Sequence, residues 1–599
     1  MENHQKQYSY HLKDIMIKFG LILSFFVLID IAMPDSENGR IIGHFLQIAS
    51  VAGVAFIDKS QRRQVFHQSD WRKCFITTAV IALYYVLIYL HQYKDRPISI
   101  LNKMSAKIHI TEEHLFLVFL FLIFCAILPS VYVIVMYVTG NLKMLFLKGN
   151  RYSDIIWHIV PAFCGMLAVA CEGYYFFSSS IWFDETFSMA LVQHSSSDIM
   201  LLTGQDVHPP LYYLMLKLWL DLIRHLHIQI TALIAARMFS GIPYVILFAI
   251  GLVQWAKGND MACFFLCSFF MPNMLEYGVE VRMYSWAMLW VLAAFYEGRK
   301  IWRNNGKITN WVFLTLFSLA SIYTHYYCGI CIALIYLALF YKMANHSGLF
   351  REMQAVGRYW CSVLALVVGY LPWLKILFST LASVSSRTWP QAISASSILD
   401  NLWCLFGIYG TICIVLPVGL MNRRRDSEAR YQGGKITLLD AIGYILPFLL
   451  MLTGIIISVI YTPVWSVRYA VVGLGVMWFS FAEAASAQRT LVQHRIMLLM
   501  ILIGSMNLFV FVRHESEDKK TAEAFETTIK QYDSDTVLWT CDPNTAYILT
   551  TAYDRKCILV GEIGNYLETV YDKNLVVKPN ADLLQLVADQ NTLQYVEPD

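Results

Sequence analysis

The chain has 599 residues, of which 57% are hydrophobic and only 15% charged, with a mean hydropathy of +0.50. A soluble protein covers its surface with charge, so this composition excludes a soluble enzyme and places the bulk of the chain in lipid. The small net charge of +3 leaves no basic footprint, which excludes nucleic acid as a partner.

The polar start, Met1 to Asp14, leads into an apolar run without a small-residue cleavage site, so the first span is read as a retained signal anchor. Crossing the bilayer core takes about 20 apolar helical residues, because no water is there to satisfy the backbone. Spans are expected near Ile15–Met33, Ile41–Ile57, Cys74–Leu90, Leu115–Val138, Ile155–Phe177, Met238–Trp255, Met261–Leu275 and Met283–Tyr296. Further ones are expected near Trp311–Thr324, Ile330–Tyr341, Cys361–Leu377, Leu402–Met421, Ile442–Tyr461, Ala470–Glu483 and Ile496–Val512. The expectation is an all-α polytopic membrane protein of about 15 transmembrane helices, several of them short or tilted.

Lys and Arg concentrate in cytoplasmic loops. The clusters Arg299, Lys300, Arg303, Lys307 and Arg423, Arg424, Arg425, Arg430, Lys435 are therefore set inside, with support from Arg62, Arg63, Arg72, Lys73 and from Lys143, Lys148, Arg151. Counting spans from these anchors puts Asp184, Glu280, His325, Trp389 and Arg468 on the opposite, extracytoplasmic side. The basic stretch Lys94 to Lys107 then falls outside, against the rule. After Val512 the hydropathy collapses. The tail alternates helical stretches (Thr521–Lys530, Thr545–Thr551) with β-type runs (Thr536–Thr540, Cys557–Val560, Leu575–Val577), as in a small C-terminal extracytoplasmic α/β domain. It has no Gly-rich phosphate loop and is assigned no chemistry. Cys541 and Cys557 could pair there in an oxidising compartment, whereas the other cysteines, such as Cys263, Cys267, Cys328 and Cys331, sit in apolar runs as small core residues.

The chemistry-bearing stretch runs from Ser180 to Leu220, directly after the fifth span. It holds Asp184 and Glu185 beside aromatic residues, then Asp206 and His208 just before Pro209 and Pro210, then an amphipathic run from Leu211 to Leu222. Proline suits a helix's first turn, so the pair is expected to start a helix along the outer interface, holding Asp206 and His208 near Asp184.

These residues resemble the C-type glycosyltransferase superfamily, in particular protein O-mannosyltransferases and bacterial aminoarabinose and related lipid-phosphate-sugar transferases. The acidic pair Asp184–Glu185 and the run Asp206-Val207-His208-Pro209-Pro210-Leu211-Tyr212-Tyr213 carry the resemblance. It continues in Arg237, in EYGVEVRMYSW with Glu280, Arg282 and Tyr284, in THYYCGI with His325 and Tyr326, and in VRY with Arg468 and Tyr469. It implies a C-type glycosyltransferase membrane core over residues 152–512 with a catalytic outer loop at 178–230, an added N-terminal transmembrane module at 1–151, and the soluble domain at 513–599. In those families the acidic loop normally follows the first span, and here about four come earlier.

The activity implied is inverting transfer of a sugar, hexosyl or mannosyl in type, from a polyprenyl-phosphate donor to a protein, glycolipid or surface-polymer acceptor. Asp184 is the expected base, with Glu185 beside it. Phosphate departs without much protonation, so one carboxylate suffices. Arginine offers phosphate a planar, permanently charged fork, which suggests Arg282 and Arg468, and then Arg237. Asp206, His208, Glu280, Tyr284, His325, Tyr326, Trp389 and Tyr469 are candidate substrate contacts. A divalent cation held by Glu185 and Asp206 stays open, as against Glu185 only orienting its neighbour. Bland readings stand beside these: the arginines as headgroup anchors, the tyrosines as an aromatic belt, Glu172 as a headgroup contact. A transporter or flippase of lipid-linked sugars, and a non-catalytic scaffold, are the competing classes.

Overall fold

A computed structural model describes residues 159–170, 181–271, 274, 277–278, 280–304, 306–345, 353–384, 437–460, 465–486, 490–534, 536–578 and 593–595. All of these fall in one compact unit made of residues 143–392 and 429–599. The expected spans before residue 150 and at Leu402–Met421, the N-terminal module, Glu172, Trp389 and the basic clusters before residue 152 and at 423–435 lie outside the described residues.

The described membrane part is helical. After α1 (Ile159–Ala170) come the short α2 (Phe183–Leu191) and α3 (Ser196–Thr203), the latter opened by Ser195, whose hydroxyl accepts from the Asp198 amide. Leucine-rich α4 (Leu211–His225) starts directly after Pro210. It buries Tyr212, Tyr213, Leu216, Leu220 and Ile223 on one stripe while Leu218 and Leu222 face outward, as in a helix lying against an apolar medium. Next are α5 (Ala232–Ala256), α6 (Asp260–Ser268), α7 (Tyr284–Asn304), α8 (Ile308–Ile322), α9 (Cys328–Asn345), α10 (Met353–Val384) and α11 (Leu438–Ile460). A 3-10 turn at Val467–Ala470 leads into α12 (Val471–Ser486), and α13 (Thr490–Ile529) follows.

Four segments among the described residues are long and apolar enough to cross a membrane: Ala232–Ala256, Gln354–Thr380, Leu438–Ile460 and Val467–Ser486. The last is 78% buried and the second only 11%, so α12 is central and α10 peripheral. The expected span at Met261–Leu275 is corrected: α6 ends at Ser268 after 9 residues, about 14 Å, half the bilayer core. Close packing at the centre depends on glycine. A Cβ on Gly443 of α11 would sit 2.6 Å from both Phe295 Cζ of α7 and Ser480 Oγ of α12, so neither neighbour could approach as it does.

The expected boundary at residue 512 falls inside α13, which runs without a break for 40 residues. Beyond it lie β1 (Val537–Thr540), α14 (Pro543–Thr551), β2 (Cys557–Val560), α15 (Asn565–Val570), β3 (Leu575–Lys578) and β4 (Leu593–Tyr595). The strands form one parallel sheet in the order β3-β2-β1-β4, with Leu538 opposite Cys557 and Cys557 opposite Leu575. Asp542 caps α14 by accepting from the Thr545 amide at 2.7 Å, with Pro543 at its first position. Cys541 is exposed, Cys557 is buried in the sheet, and both are free, so the disulfide considered from the sequence is not formed.

Candidate active site

The acidic pair sits not in an open loop but in the first turn of α2, with Asp184 7% exposed and Glu185 2%. Burial of two adjacent carboxylates is costly unless each is paired, and each is paired differently. Glu185 accepts a forked pair of bonds from Arg237 of α5, Nε to Oε1 at 3.1 Å and Nη2 to Oε2 at 2.9 Å, and a third from the Val281 amide at 3.1 Å. Asp184 Oδ2 is ion-paired with Arg468 Nη1 and lies 3.8 Å from Arg282 Nε. The Arg468 guanidinium also stands 5.4 Å from the Trp182 ring, which closes that side.

Arg282 joins the segments that the sequence keeps apart. Its Nη1 donates to the Asp184 carbonyl (3.3 Å), Ser188 Oγ (3.4 Å) and Tyr213 Oη (3.3 Å), and its Nη2 lies 3.4 Å from His208 Nδ1. His208 Nδ1 is in turn 3.3 Å from Asp206 Oδ2. Nδ1 thus stands between an acceptor, the Asp206 carboxylate, and a donor, the Arg282 guanidinium, so the proton's place on the ring depends on which of the two it engages. The residue just past the Pro-Pro pair is anchored too: the Leu211 amide donates to the Tyr323 carbonyl at 3.0 Å, tying this loop to the one that carries His325.

His325 lies within an aromatic cage, its ring 5.4 Å from His208, 5.7 Å from Tyr284 and 5.1 Å from Tyr469. Its Nδ1 accepts from the Tyr327 amide at 3.2 Å, so Nε2 holds the proton. Five buried polar atoms around this cage make no hydrogen bond within the protein: His208 Nε2, His325 Nε2, Tyr284 Oη, Tyr327 Oη and Glu280 Oε2. Buried polar atoms are normally satisfied, so these atoms are candidates to meet a polar ligand.

Burial, reinforced by nearby positive charge, pushes the His325 imidazole well below its usual value. Burial also lowers His208, helped by Arg282 and opposed by Asp206. Burial would raise the Asp206 carboxyl, but the hydrogen bond and charge of His208, with Arg282, outweigh it and leave the group low. Glu280 goes the other way: burial first, then the charges of Glu185 and Asp184, drive it well above the usual carboxylate range despite Arg468 and Arg282.

Of the residues singled out in the sequence, Asp184, Asp206, His208, Glu280, Arg282, Tyr284, His325, Arg468 and Tyr469 converge here. Arg237 is bound to Glu185. Tyr326 stands to one side, accepting from Trp373 Nε1 at 3.1 Å. Of the two residues considered as cation ligands, Glu185 is engaged by Arg237 and the Val281 amide and Asp206 by His208. Among the described residues the one group of three or more possible cation ligands is His514, Glu515 and Asp518 on α13. With an arginine fork and an amide on its oxygens, Glu185 is already fully used. Sequence reasoning missed Ser188 and the role of Tyr213. Ser188 was legible in principle, since four residues after Asp184 is the same helix face.

No protein-family model matches the sequence, and no curated protein matches it. Among solved structures, the chain is similar to ArnT from Cupriavidus metallidurans in the apo state, with 13% sequence identity and a TM-score of 0.45 over 71% of this chain and 90% of that chain.

Proposed function

We propose that this chain is an inverting glycosyltransferase of the cell membrane, moving a sugar from a polyprenyl-phosphate carrier to an acceptor at the extracytoplasmic face. The observation that carries the reading is a buried carboxylate, Asp184, bracketed by two arginines beside unpartnered polar atoms, at the ends of apolar helices. A phosphate headgroup is the natural competitor for Arg282 and Arg468, because it matches the guanidinium fork. Once the headgroup takes those cations, Asp184 Oδ2 is released from Arg468 and free to face the acceptor.

The step then balances as follows. The acceptor's oxygen or nitrogen attacks the anomeric carbon, Asp184 receives its proton, and the bond from that carbon to the phosphate oxygen breaks. Its electron pair leaves with polyprenyl phosphate, whose charge Arg282 and Arg468 stabilise. One displacement inverts the anomeric centre. Glu185, fixed by Arg237 and the Val281 amide, holds the turn that presents Asp184. His208, His325, Tyr284 and Glu280 supply the polar groups that a sugar's hydroxyls require. The carrier's chain lies along the exposed apolar helix faces.

The test is a reconstituted assay in lipid nanodiscs with polyprenyl-phosphate mannose, reading release of polyprenyl phosphate in the presence of host membrane extract. Asp184→Asn abolishes release while the protein remains folded. Undiminished activity removes Asp184 as the base.

A further inference from the structure

The tail, which carries no motif, packs on the back of the helix that bears the acidic pair. Tyr571, at the end of α15, is 3% exposed, and its hydroxyl lies 3.0 Å from Thr186 Oγ1 in the first turn of α2. Thr186 is fully buried and donates in turn to the Phe183 carbonyl at 2.7 Å. The Tyr571 ring stacks on Tyr547 of α14 at 4.1 Å and 16°, and Tyr547 itself packs 5.5 Å from Phe183. Phe187 meets Tyr566 of α15 at 6.0 Å, and His194 Nε2 lies 3.0 Å from the Val570 carbonyl just past the C-terminal end of α2.

These contacts matter because α2 has little of its own to hold it. It is 9 residues long, and the residue that opens it, Trp182, provides no side-chain cap. A helix of that length without tertiary support is not stable in water, since nucleation is unfavourable and few bonds repay it. On the membrane side, α2 is held by Arg237, Arg282 and Arg468, which grip the two carboxylates and the Asp184 carbonyl. On the other face the tail grips Phe183, Thr186 and Phe187. Asp184 and Glu185 lie between these grips.

We infer that the C-terminal α/β segment is a working part of the catalytic site, with Tyr571 the positioning residue that fixes, through Thr186, the helical turn presenting Asp184. The inference rests on the proposed transferase reading for its catalytic arm and on geometry alone for its structural arm. Tyr571 touches no reacting atom. It sets where Asp184 stands relative to the anomeric carbon, a placement to which displacement rates are steeply sensitive.

The experiment compares the full-length wild type with Tyr571→Phe, Thr186→Val and the double variant in lipid nanodiscs. Tyr553→Phe makes the same chemical change elsewhere in the tail and serves as the control. Hydrogen exchange is read on the segment Phe183–Leu191, and transfer with polyprenyl-phosphate mannose. Losing one buried hydrogen bond speeds exchange of that segment about three- to tenfold in Tyr571→Phe, with Val471–Ser486 unaffected. Turnover falls about ten- to a hundredfold at unchanged KM, because placement rather than donor binding is lost. The double variant matches the more impaired single one. Unchanged exchange in Phe183–Leu191 overturns the inference, as does wild-type turnover in Tyr571→Phe or a fall carried by KM alone. Faster exchange in a protein whose wild type shows no transfer sinks the transferase reading and leaves the structural grip standing.

Discussion

The Glu185–Arg237 pair offers the sharpest energetic test of the site. Both side chains are at most 4% exposed, and the guanidinium meets the carboxylate through two bonds. Glu185→Gln keeps the shape and an oxygen for the Val281 amide, but it strands the buried positive charge of Arg237. Removing one partner from a buried pair costs about 3–5 kcal/mol, most of it the desolvation of the charge left behind. Arg237→Met strands the carboxylate and costs a similar amount. Glu185→Gln with Arg237→Met removes both charges, so the double variant is more stable than the sum of the two single losses predicts. The assay is unfolding in lipid nanodiscs followed by tryptophan fluorescence, with all variants on one double-mutant cycle. Single variants within about 1 kcal/mol of wild type, or strict additivity, would refute the claim that this pair anchors α2.

Other outcomes follow from the same geometry. His208 and His325 have lowered values in the folded state, so the unfolded chain binds more protons at acidic pH. Their contribution to stability is complete above the unfolded histidine value, about 6.5, and declines as pH falls below it. Replacing His325 with Phe flattens a stability profile measured from pH 7.5 to pH 5, and an unflattened profile contradicts its neutral burial. Glu280 has the opposite sign: its folded value is raised, so stability is present below the unfolded carboxylate value and lost as pH climbs toward the folded one. Glu280→Gln therefore raises stability at neutral pH relative to wild type, and a loss at pH 7.5 shows that the group is ionised there. Gly454→Ala places a methyl group against Trp465 and 2.8 Å from Tyr327 Oη, both beside the Tyr469 ring. Overpacking there costs about 1–3 kcal/mol, read by the same fluorescence assay, and a neutral result means that the cage can yield.

What the sequence disclosed was local. Pro209 and Pro210 announced α4 because proline's fixed backbone suits a helix's first turn, and the apolar runs announced helices because the bilayer demands them. The acidic pair, His208, Arg282 and Arg468 were picked out by residue type, and the fold brings them together. What stayed hidden were partnerships made across chain distance. Glu185 and Arg237 are 52 positions apart and Thr186 and Tyr571 are 385 apart, and neither pair has a spacing rule. The same limit misassigned Met261–Leu275, where hydropathy alone does not mark a helix that stops after 9 residues. It also left the tail without a role, since Tyr571 looks like any surface aromatic until it is seen against α2.

The most direct measurement is genetic and chemical together. The gene is deleted in its host, the surface glycans and glycolipids are profiled by mass, and the strain is complemented with wild type or with Asp184→Asn. One glycan or glycolipid loses a single sugar in the deletion strain, wild type restores it, and Asp184→Asn, present in the membrane at the same level, does not. Full restoration by Asp184→Asn, or a surface profile identical with and without the gene, contradicts the account.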